Sequence, residues 1–478
     1  MVRKVLNKYN GLSIVTKASL WAFVANMVQR GATIIATPIF TRILTTEEYA
    51  QYTLYQSWHD IFIIFASLNV FNYAAYTGLT KYDKDKNGFI ATAQTVVTLL
   101  TFSCCGLYFV VNLFFKGAIG FSLPIVILMF FDILFFASFN LWTAKERYDF
   151  RYKMSTVVSV LMGALGPALG FVAIQFSSNR GYGRIYGVAI VNIVIGFGVY
   201  LYNYIKSKNR FDKCYVKFIF AYCLPLIPHF LSSQVLTRFD RIMINDMCGA
   251  SETGIYSLAY SLSSLMLLVN DAILKSLTPL TYKSIKENSE LDSLKKNTMF
   301  ITIFVALSNF VLILFAPEIV KIFAPAEYYE AVYIIPAVSG SIYLMFLFNL
   351  FANIEYYYSQ TKYVAAASFL AAVVNIVLNF IFIEKYGYIA AGYTTLVSYI
   401  LYAFGHYVFM KKVTKKYADS KNYYNNFAIL MVSAVFIILS LVTVLIYNEI
   451  VVRYLIILTI LVGGFLKRKT LISYFKKV

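Results

Sequence analysis

The sequence is short of charge. Only 14% of its 478 residues are Asp, Glu, Lys or Arg, whereas an ordinary soluble domain has about 25%. Hydrophobic residues make up 60% of the chain, and the mean hydropathy is +0.67. A soluble fold cannot bury this much apolar side-chain surface, and a disordered chain would contain far less of it. The composition therefore excludes both classes and predicts a membrane protein with many spans.

Acidic residues, histidine and cysteine are also scarce. There are 23 Asp and Glu against 42 Lys and Arg, with 3 His and 5 Cys. The net charge of +19 is scattered between apolar runs, so it forms no basic face for a nucleic acid. The sequence has no cluster with metal-ligand spacing and no Gly-rich phosphate loop. We therefore expect no nucleic-acid partner, no metal, no cofactor and no enzymatic activity.

Apolar runs recur along the whole chain. A membrane-spanning helix needs about 20 apolar residues, and fourteen segments approach or reach that length. They are Ser19–Phe40, Tyr52–Tyr73, Phe89–Phe115, Ile119–Trp142, Ser155–Phe176, Ile185–Ile205, Phe218–Phe239, Gly254–Leu274, Thr298–Phe315, Ala331–Phe351, Tyr363–Ile383, Ile389–Met410, Phe427–Ile446 and Val451–Leu466. The sequence thus predicts an all-α polytopic membrane protein with about fourteen transmembrane helices.

The basic residues fall mainly in alternate loops. With the N-terminus placed inside, the inner segments hold 32 of the 42 Lys and Arg, the outer segments hold 9, and Arg30 lies within the first span. Cytoplasmic loops of membrane proteins carry an excess of Lys and Arg. The pattern therefore predicts that both termini lie in the cytoplasm.

The chain has an internal repeat. A shift of 204 residues aligns spans one to six with spans seven to twelve, and two short motifs match at that shift. They are Glu48–Ser57 with Glu252–Ser261, and Tyr182–Ile185 with Tyr386–Ile389. An even number of spans in each repeat predicts two parallel six-helix lobes, as in transporters that work by alternating access. Coincidence among aromatic-rich helices is the alternative.

The predicted domains follow from this repeat. They are a cytoplasmic amphipathic N-terminus, residues 1–18; an N-lobe, 19–205; a basic cytoplasmic linker, 206–217; a C-lobe, 218–410; a second basic linker, 411–426; two extra C-terminal spans, 427–466; and a basic cytoplasmic tail, 467–478. Two prolines, Pro225 and Pro228, should also kink or loosen span seven because each removes a backbone donor.

Four stretches carry a resemblance to a known superfamily. They are Thr37–Tyr52 (TPIFTRILTTEEYAQY), Leu224–Asn245 (LPLIPHFLSSQVLTRFDRIMIN), Gly249–Ser264 (GASETGIYSLAYSLSS) and Ile383–Tyr399 (IEKYGYIAAGYTTLVSY). Together they resemble the Wzx-type polysaccharide flippases of the multidrug/oligosaccharidyl-lipid/polysaccharide (MOP) exporter superfamily. The resemblance covers most of residues 19–410.

The resemblance implies a function and its partners. It implies a flippase that moves an undecaprenyl-pyrophosphate-linked oligosaccharide repeat unit from the inner to the outer leaflet of the bacterial cytoplasmic membrane. Membrane lipids and a polysaccharide polymerase or glycosyltransferase would be partners. The alternatives are a lipid-II flippase, a cation-coupled multidrug exporter on the same scaffold, and a membrane glycosyltransferase or polymerase. The short outer loops argue against the last of these.

Three arginines are candidates for binding pyrophosphate. Arg30 lies near the middle of span one, and Arg238 and Arg241 lie at the outer end of span seven. The planar guanidinium suits two-point contact with phosphate oxygens. The structural alternatives are that Arg30 pairs with Asp60, and that Arg238 and Arg241 extend to the outer membrane surface.

Four further ionisable residues lie at predicted membrane depth. They are Asp60 beside His59 in span two, Asp132 in span four, His229 in span seven and Asp240 at its outer end. An ionisable side chain at mid-bilayer costs about 2.5–3.5 kcal/mol on insertion scales. We therefore expect these residues either to couple transport to an ion or to make hydrogen bonds and ion pairs between helices.

Overall fold

The structure, a computed structural model, describes Gly11, residues 13–288, residues 291–466 and Arg468. The described residues are almost entirely helical and contain no β-strand. Most of the predicted amphipathic N-terminus (1–18) and of the basic tail (467–478) lies outside the described residues. The predicted all-α class is confirmed.

The chain folds as two compact units, Met1–Gln234 and Val235–Val478. The α-helices of the first unit are α1, Ile14–Ile43; α2, Thr46–Ser67; α3, Tyr73–Lys81; α4, Lys86–Phe114; α5, Leu123–Tyr148; α6, Tyr152–Phe176; α7, Arg180–Lys206; α8, Lys213–Cys223; and α9, Ile227–Gln234. The predicted domain limits describe topology and repeats, and they stay predictions.

The second unit begins with a π-helical turn, Val235–Phe239. Its α-helices are α10, Asp240–Met247; α11, Ala250–Ser263; α12, Met266–Glu287; α13, Leu291–Leu314; α14, Ala316–Phe323; α15, Ile335–Tyr357; α16, Thr361–Tyr386; α17, Ile389–Tyr417; α18, Asn426–Val442; and α19, Ile450–Leu466. Short 3₁₀ segments connect several of them. The apolar core of this unit includes residues of α12, α13, α15, α16, α17 and α18.

Ten helices of the described residues are long and apolar enough to cross a membrane. They are Asp83–Phe114, Leu123–Tyr148, Tyr152–Phe176, Arg180–Lys206, Lys213–Met247, Ala250–Glu287, Leu291–Leu314, Ile335–Tyr357, Thr361–Tyr386 and Asn426–Ile446. Each coincides with a predicted span. The protein is therefore a multi-pass membrane protein.

Four predicted spans, the first, second, twelfth and fourteenth, coincide with helices outside these ten. These helices are α1, α2 and α17, together with α19, which is apolar but shorter. The first three carry polar or ionisable residues, among them Arg30, Asp60 and His406. Ionisable residues in membrane helices almost always face the protein interior. The total of fourteen spans stays a prediction.

Glycine allows two helices of the first unit to pack closely. A Cβ atom added to Gly187 of α7 would lie 2.2 Å from the backbone nitrogen of Gly170 of α6. Small residues at such crossings let the backbones of membrane helices approach each other. The predicted spans five and six are therefore joined by direct backbone contact.

Predicted span seven is interrupted twice. A 3₁₀ turn, Leu224–Leu226, contains Pro225 and separates α8 from α9. The π turn Val235–Phe239 then separates α9 from α10. The predicted proline distortion is confirmed, whereas the π turn was not predicted. The boundary between the two units falls between Gln234 and Val235, where the π turn begins.

An ion pair between a buried arginine and a half-buried glutamate ties the last helix to the rest of the second unit. Arg453 of α19 is 1% exposed, and its two terminal nitrogens each lie 2.8 Å from an oxygen of Glu318 on α14. Its Nη1 also donates to the carbonyl of Leu314 at 2.8 Å. Burial raises the pKa of the Glu318 carboxyl, but hydrogen bonds from Arg453 outweigh this, so that pKa lies below its usual range.

Arg453→Ala should lower the free energy of unfolding by about 3 kcal/mol, because it leaves a carboxylate without its partner. Stability from a carboxylate with a lowered pKa is present at neutral pH and is lost as pH falls below about 4. Thermal unfolding of the detergent-purified protein at pH 7 and pH 3.5 measures both effects. Lys321→Ala, on the same short helix but exposed, is the control. An unchanged melting temperature for Arg453→Ala would contradict the prediction.

Candidate functional site

Asp240, one of the predicted site residues, is buried and accepts three hydrogen bonds. It is 1% exposed at the start of α10. Its Oδ2 accepts hydrogen bonds from Tyr256 Oη at 2.6 Å and from Thr395 Oγ1 at 2.8 Å. Its Oδ1 accepts from Asn379 Nδ2 at 2.7 Å. Helices α10, α11, α16 and α17 of the second unit therefore meet at one carboxylate.

A second layer of polar groups surrounds this carboxylate. Asn375 Nδ2 donates to Thr395 Oγ1 at 3.1 Å, and the Thr394 hydroxyl donates to Asn379 Oδ1. We call Asp240, Tyr256, Asn375, Asn379, Thr394 and Thr395 the Asp240 cluster. A carboxylate, amide oxygens and hydroxyls are the ligands that hard cations prefer. The cluster can therefore hold a hard cation or a proton on Asp240.

Two predicted arginines flank Asp240. Arg238 lies on the π turn and is half-buried. Arg241 is 3% exposed; its guanidinium lies 4.5 Å from the centre of the Tyr260 ring, and its Nη1 donates to the carbonyl of Thr237 at 2.8 Å. The Arg241 Nε atom is buried and makes no hydrogen bond within the described residues. The structure thus brings Arg238, Asp240 and Arg241 together, with Arg241 enclosed by protein.

The first unit has its own buried aspartate. Asp132 of α5 is 2% exposed and accepts hydrogen bonds from Tyr55 Oη at 3.0 Å and from Asn192 Nδ2 at 2.9 Å. His59 lies between the two predicted acids of this unit: its Nε2 is 4.0 Å from Asp132 and its Nδ1 is 3.4 Å from Asp60. His59 therefore lies within 4.0 Å of both acids, and α2, α5 and α7 meet here.

The other two predicted residues lie on other helices. Arg30 is half-buried in the middle of α1. Its neighbour Gln29 donates to the carbonyl of Ser159 at 2.7 Å, which fixes this part of α1 against α6. His229 is half-buried on α9, with its ring 5.8 Å from that of Phe230.

Sequence reasoning missed a buried arginine of the first unit. Arg184, at the start of α7, is 6% exposed, and its guanidinium lies 3.9 Å from the centre of the Tyr52 ring. The rings of Phe40 and Tyr49 lie 4.1 and 4.9 Å away. Predicted span six began at Ile185, so Arg184 was assigned to a loop. The signal in the sequence was that Arg184 directly precedes predicted span six.

A second omission is a buried pair in the second unit. Glu355 of α15 and His406 of α17 lie 2.9 Å apart and are both 0% exposed. Predicted span ten ended at Phe351, whereas α15 continues to Tyr357, so Glu355 was assigned to a loop. His406 lay within predicted span twelve, and its presence there was a signal. The described residues contain no group of three or more His, Cys, Asp or Glu that could hold a metal.

The sequence matches a known protein family. The model of the polysaccharide biosynthesis protein family matches residues 15–284, which is more than half of the chain. The capsular polysaccharide biosynthesis protein CapF of Staphylococcus aureus is 21% identical over 411 residues, covering 82% of this chain and 98% of CapF. Protein 1 of the Lsg locus of Haemophilus influenzae is 23% identical over 205 residues, covering 40% of this chain and half of that relative's own length.

Solved structures share the fold. The lipid II flippase MurJ, in an inward closed conformation, has a TM-score of 0.70 at 16% identity and covers 95% of this chain and 99% of its own. A multidrug resistance transporter of the MATE family of the MOP superfamily, in an inward-facing conformation, has a TM-score of 0.68 at 13% identity, covering 84% and 99%. The predicted resemblance to this superfamily is confirmed. The chain belongs to the polysaccharide biosynthesis protein family and has the fold of the MOP superfamily transporters.

Proposed function

We propose that this protein is a flippase that moves undecaprenyl-pyrophosphate-linked oligosaccharide repeat units across the bacterial cytoplasmic membrane. It carries them from the inner to the outer leaflet by alternating access, and both termini lie in the cytoplasm. The family match, the capsule-related relative CapF and the MOP fold support this proposal. A polysaccharide polymerase or glycosyltransferase would act on the same lipid-linked sugars beside it.

The observation that carries the proposal is a cluster of three charged side chains in span seven, where the helix is interrupted. Arg238, Asp240 and Arg241 follow one another at the π turn, inside the family-matched region. π turns within α-helices are frequent at functional sites, and charged residues in membrane helices mark substrate and ion pathways. No enzyme is needed for such a step, since no covalent bond is made or broken.

The arginines are proposed to screen the pyrophosphate. A hydrogen bond between a guanidinium and a phosphate oxygen contributes about 1.5–3 kcal/mol. Arg30 and Arg238 are half-buried, and we propose that each turns towards the headgroup when the substrate binds. Arg241 is enclosed against Tyr260, and it would reach a headgroup only in a conformation that frees it from that ring.

The membrane potential favours the proposed direction. When a headgroup with about two negative charges moves outward across a membrane whose inside is negative, the free energy falls by roughly 2.3 kcal/mol per charge for each 100 mV. The lipid tail stays in the membrane, so the protein must shelter only the glycan and the pyrophosphate. We propose that Asp240 in one unit, and Asp132 with Asp60 in the other, couple this movement to a cation or a proton.

A transport assay with purified protein tests the proposal. The protein is reconstituted into liposomes that contain a fluorescent undecaprenyl-pyrophosphate-linked oligosaccharide, and a membrane-impermeant reductant destroys the label on accessible molecules. We expect protein-containing vesicles to lose nearly all of the label, whereas empty vesicles keep the inner-leaflet half.

Labelled lipid II and a labelled cationic drug, tested in parallel, separate the alternatives. Faster transport of lipid II would favour the lipid-II flippase, and drug efflux without lipid movement would favour the multidrug exporter. Loss of only the outer-leaflet label, for every lipid tested, would contradict a flippase of either kind.

A further inference from the structure

The buried pair of Glu355 and His406 lies outside the groups to which a role in transport has been given above. Glu355 is two residues from the end of α15, and His406 lies on the neighbouring helix α17. His406 Nδ1 and Glu355 Oε1 are 2.9 Å apart, and neither side chain has any solvent exposure. A carboxylate and an imidazole are therefore in contact inside the apolar core of the second unit.

Aromatic rings enclose the pair. The His406 ring stacks on Phe348 with centres 5.5 Å apart and an angle of 22°, and its centre lies 4.9 Å from that of Tyr402. The other two polar atoms of these side chains, Glu355 Oε2 and His406 Nε2, are buried and make no hydrogen bond within the described residues. A purely structural pair would be expected to satisfy both atoms, because buried polar groups almost always have partners.

Charged groups on the surrounding helices do not compensate the pair. The helices that pack against α15 and α17 include α11, α12, α13, α16 and α18, and the 3₁₀ segment Ala326–Tyr333 also contacts α15. The two charged residues of that segment, Glu327 and Glu330, are exposed. The charged side chains of these helices and of α17 are exposed, with two exceptions. Glu252 and Lys295 are half-buried, and Lys295 forms an ion pair with Asp292. The exposed ones are Asp271, Lys275, Lys283, Lys286, Glu287, Asp292, Lys296, Lys362, Glu384, Lys385, Lys411, Lys412, Lys415 and Lys416. Tyr402 is the titratable side chain beside the pair.

The charge of the pair depends on one proton. When Nδ1 of His406 carries a proton and donates it to Glu355, the pair is neutral only if a further proton sits on Nε2 or on Oε2. Without that further proton, a single negative charge remains where water cannot reach it. An uncompensated buried charge is strongly unfavourable, so this state favours any rearrangement that admits water to the pair.

We propose that Glu355 and His406 form a proton-binding site that keeps α15 and α17 packed together while the further proton is bound. Release of that proton, from Nε2 or Oε2 to water, opens the packing between the two helices around the pair. On the predicted topology the C-terminal end of α15 faces the cytoplasm, so the proton is exchanged with the cytoplasmic side. Opening therefore becomes about tenfold more populated for each unit of rising pH within the titration range.

Hydrogen–deuterium exchange of the purified protein tests this site without any transport substrate. Between pH 6 and pH 9, after correction for the intrinsic pH dependence of amide exchange, segments 350–357 and 402–410 should lose protection by about tenfold per pH unit. The reference is segment 157–174 of α6, which contains no ionisable residue. Glu355→Gln, which keeps the shape and removes the negative charge left by proton release, should abolish the extra pH dependence. Glu384→Gln, an exposed carboxylate of the same unit, should behave as the unaltered protein.

Two results would overturn the proposal. One is a constant protection ratio between these segments and segment 157–174 across the pH range, which would make the pair a fixed structural contact. The other is a Glu355→Gln variant that keeps the pH dependence of the unaltered protein. If Glu355→Gln does not fold, Glu355→Met provides the same test, because it removes the carboxylate and leaves the His406 ring stacked on Phe348.

A transport measurement extends the test and rests on the proposed function. In the liposome assay, the internal and external pH are varied together. The rate of translocation by the unaltered protein should then change by about tenfold per pH unit. Glu355→Gln should have a profile that is flatter by about tenfold per pH unit than that of the unaltered protein. A profile in that variant identical to that of the unaltered protein would exclude a role of the pair in transport. If no lipid-linked sugar is moved at all, the flippase proposal fails, while the exchange experiment still decides whether the pair binds and releases a proton.

Discussion

Asp240→Asn should abolish surface polysaccharide in a strain that depends on this protein and should reduce translocation in liposomes by roughly a hundredfold. The substitution removes the only carboxylate of the Asp240 cluster. It also replaces one acceptor oxygen by an amide that cannot accept from Tyr256 or Thr395. The amide carries no negative charge and binds no proton at neutral pH, and an ionic contact of about 3 kcal/mol lost from a buried site corresponds to roughly a hundredfold loss of affinity for a bound cation.

Three measurements separate a functional loss from a folding loss. Asp246→Asn, on the same helix but exposed, should leave polysaccharide unchanged. Tyr256→Phe removes one donor and keeps the carboxylate, so it should reduce transport by only about tenfold. Protein level and melting temperature in detergent should fall far less than transport does for Asp240→Asn. If the variant is folded and transports at the normal rate, Asp240 has no role in coupling.

Arg30→Ala should also eliminate surface polysaccharide while leaving the amount of protein in the membrane intact. Arg30 lies at mid-helix in α1 and is half-buried, and the proposed function assigns its guanidinium to a phosphate oxygen of the substrate. Loss of one or two charge-assisted hydrogen bonds, at about 1.5–3 kcal/mol each, should weaken binding of the lipid-linked substrate by ten- to a thousandfold. Export of polysaccharide and translocation in liposomes measure this.

Arg30→Lys keeps the charge and loses the planar two-point contact, so it should restore export only in part. Arg42→Ala removes an exposed arginine from the last turn of the same helix and should have no effect on transport. Normal polysaccharide in Arg30→Ala would exclude pyrophosphate binding by this residue. If Arg30→Ala instead loses protein and melting temperature, the tie between Arg30 and Asp60 becomes the better account of its position.

The class of fold was predictable because it depends on the total hydrophobicity of long segments. Twenty apolar residues in a row have few stable alternatives to a membrane helix, and each of the ten long apolar helices coincides with a predicted span. The limits of individual helices depend on single residues and were less accurate. Span ten was predicted to end at Phe351, and α15 continues to Tyr357 through Asn353, Glu355 and several tyrosines.

The partners of buried charges could not be predicted from the sequence. Asp240 was identified as an ionisable residue at the end of a span, but its contacts with Asn379 and Thr395 join positions 139 and 155 residues away. Such contacts depend on how helices rotate about their axes, and span prediction leaves that rotation undetermined. Arg184 and Glu355 were missed for a related reason, because both lie within a few residues of a predicted span limit.

The π turn at Val235–Phe239 also determines the direction in which Asp240 points. An α-helix advances about 100° for each residue, and a π turn accommodates one residue more than an α turn. Every side chain beyond Phe239 is therefore rotated by about 100° from where an uninterrupted helix would carry it. The register of Asp240 towards Tyr256 and Thr395 is thus set upstream, at the first residues of the second unit. A relative that lacks one residue within 235–239 in a sequence alignment would have no π turn. The aspartate at the position of Asp240 would then lie on a different face of the helix.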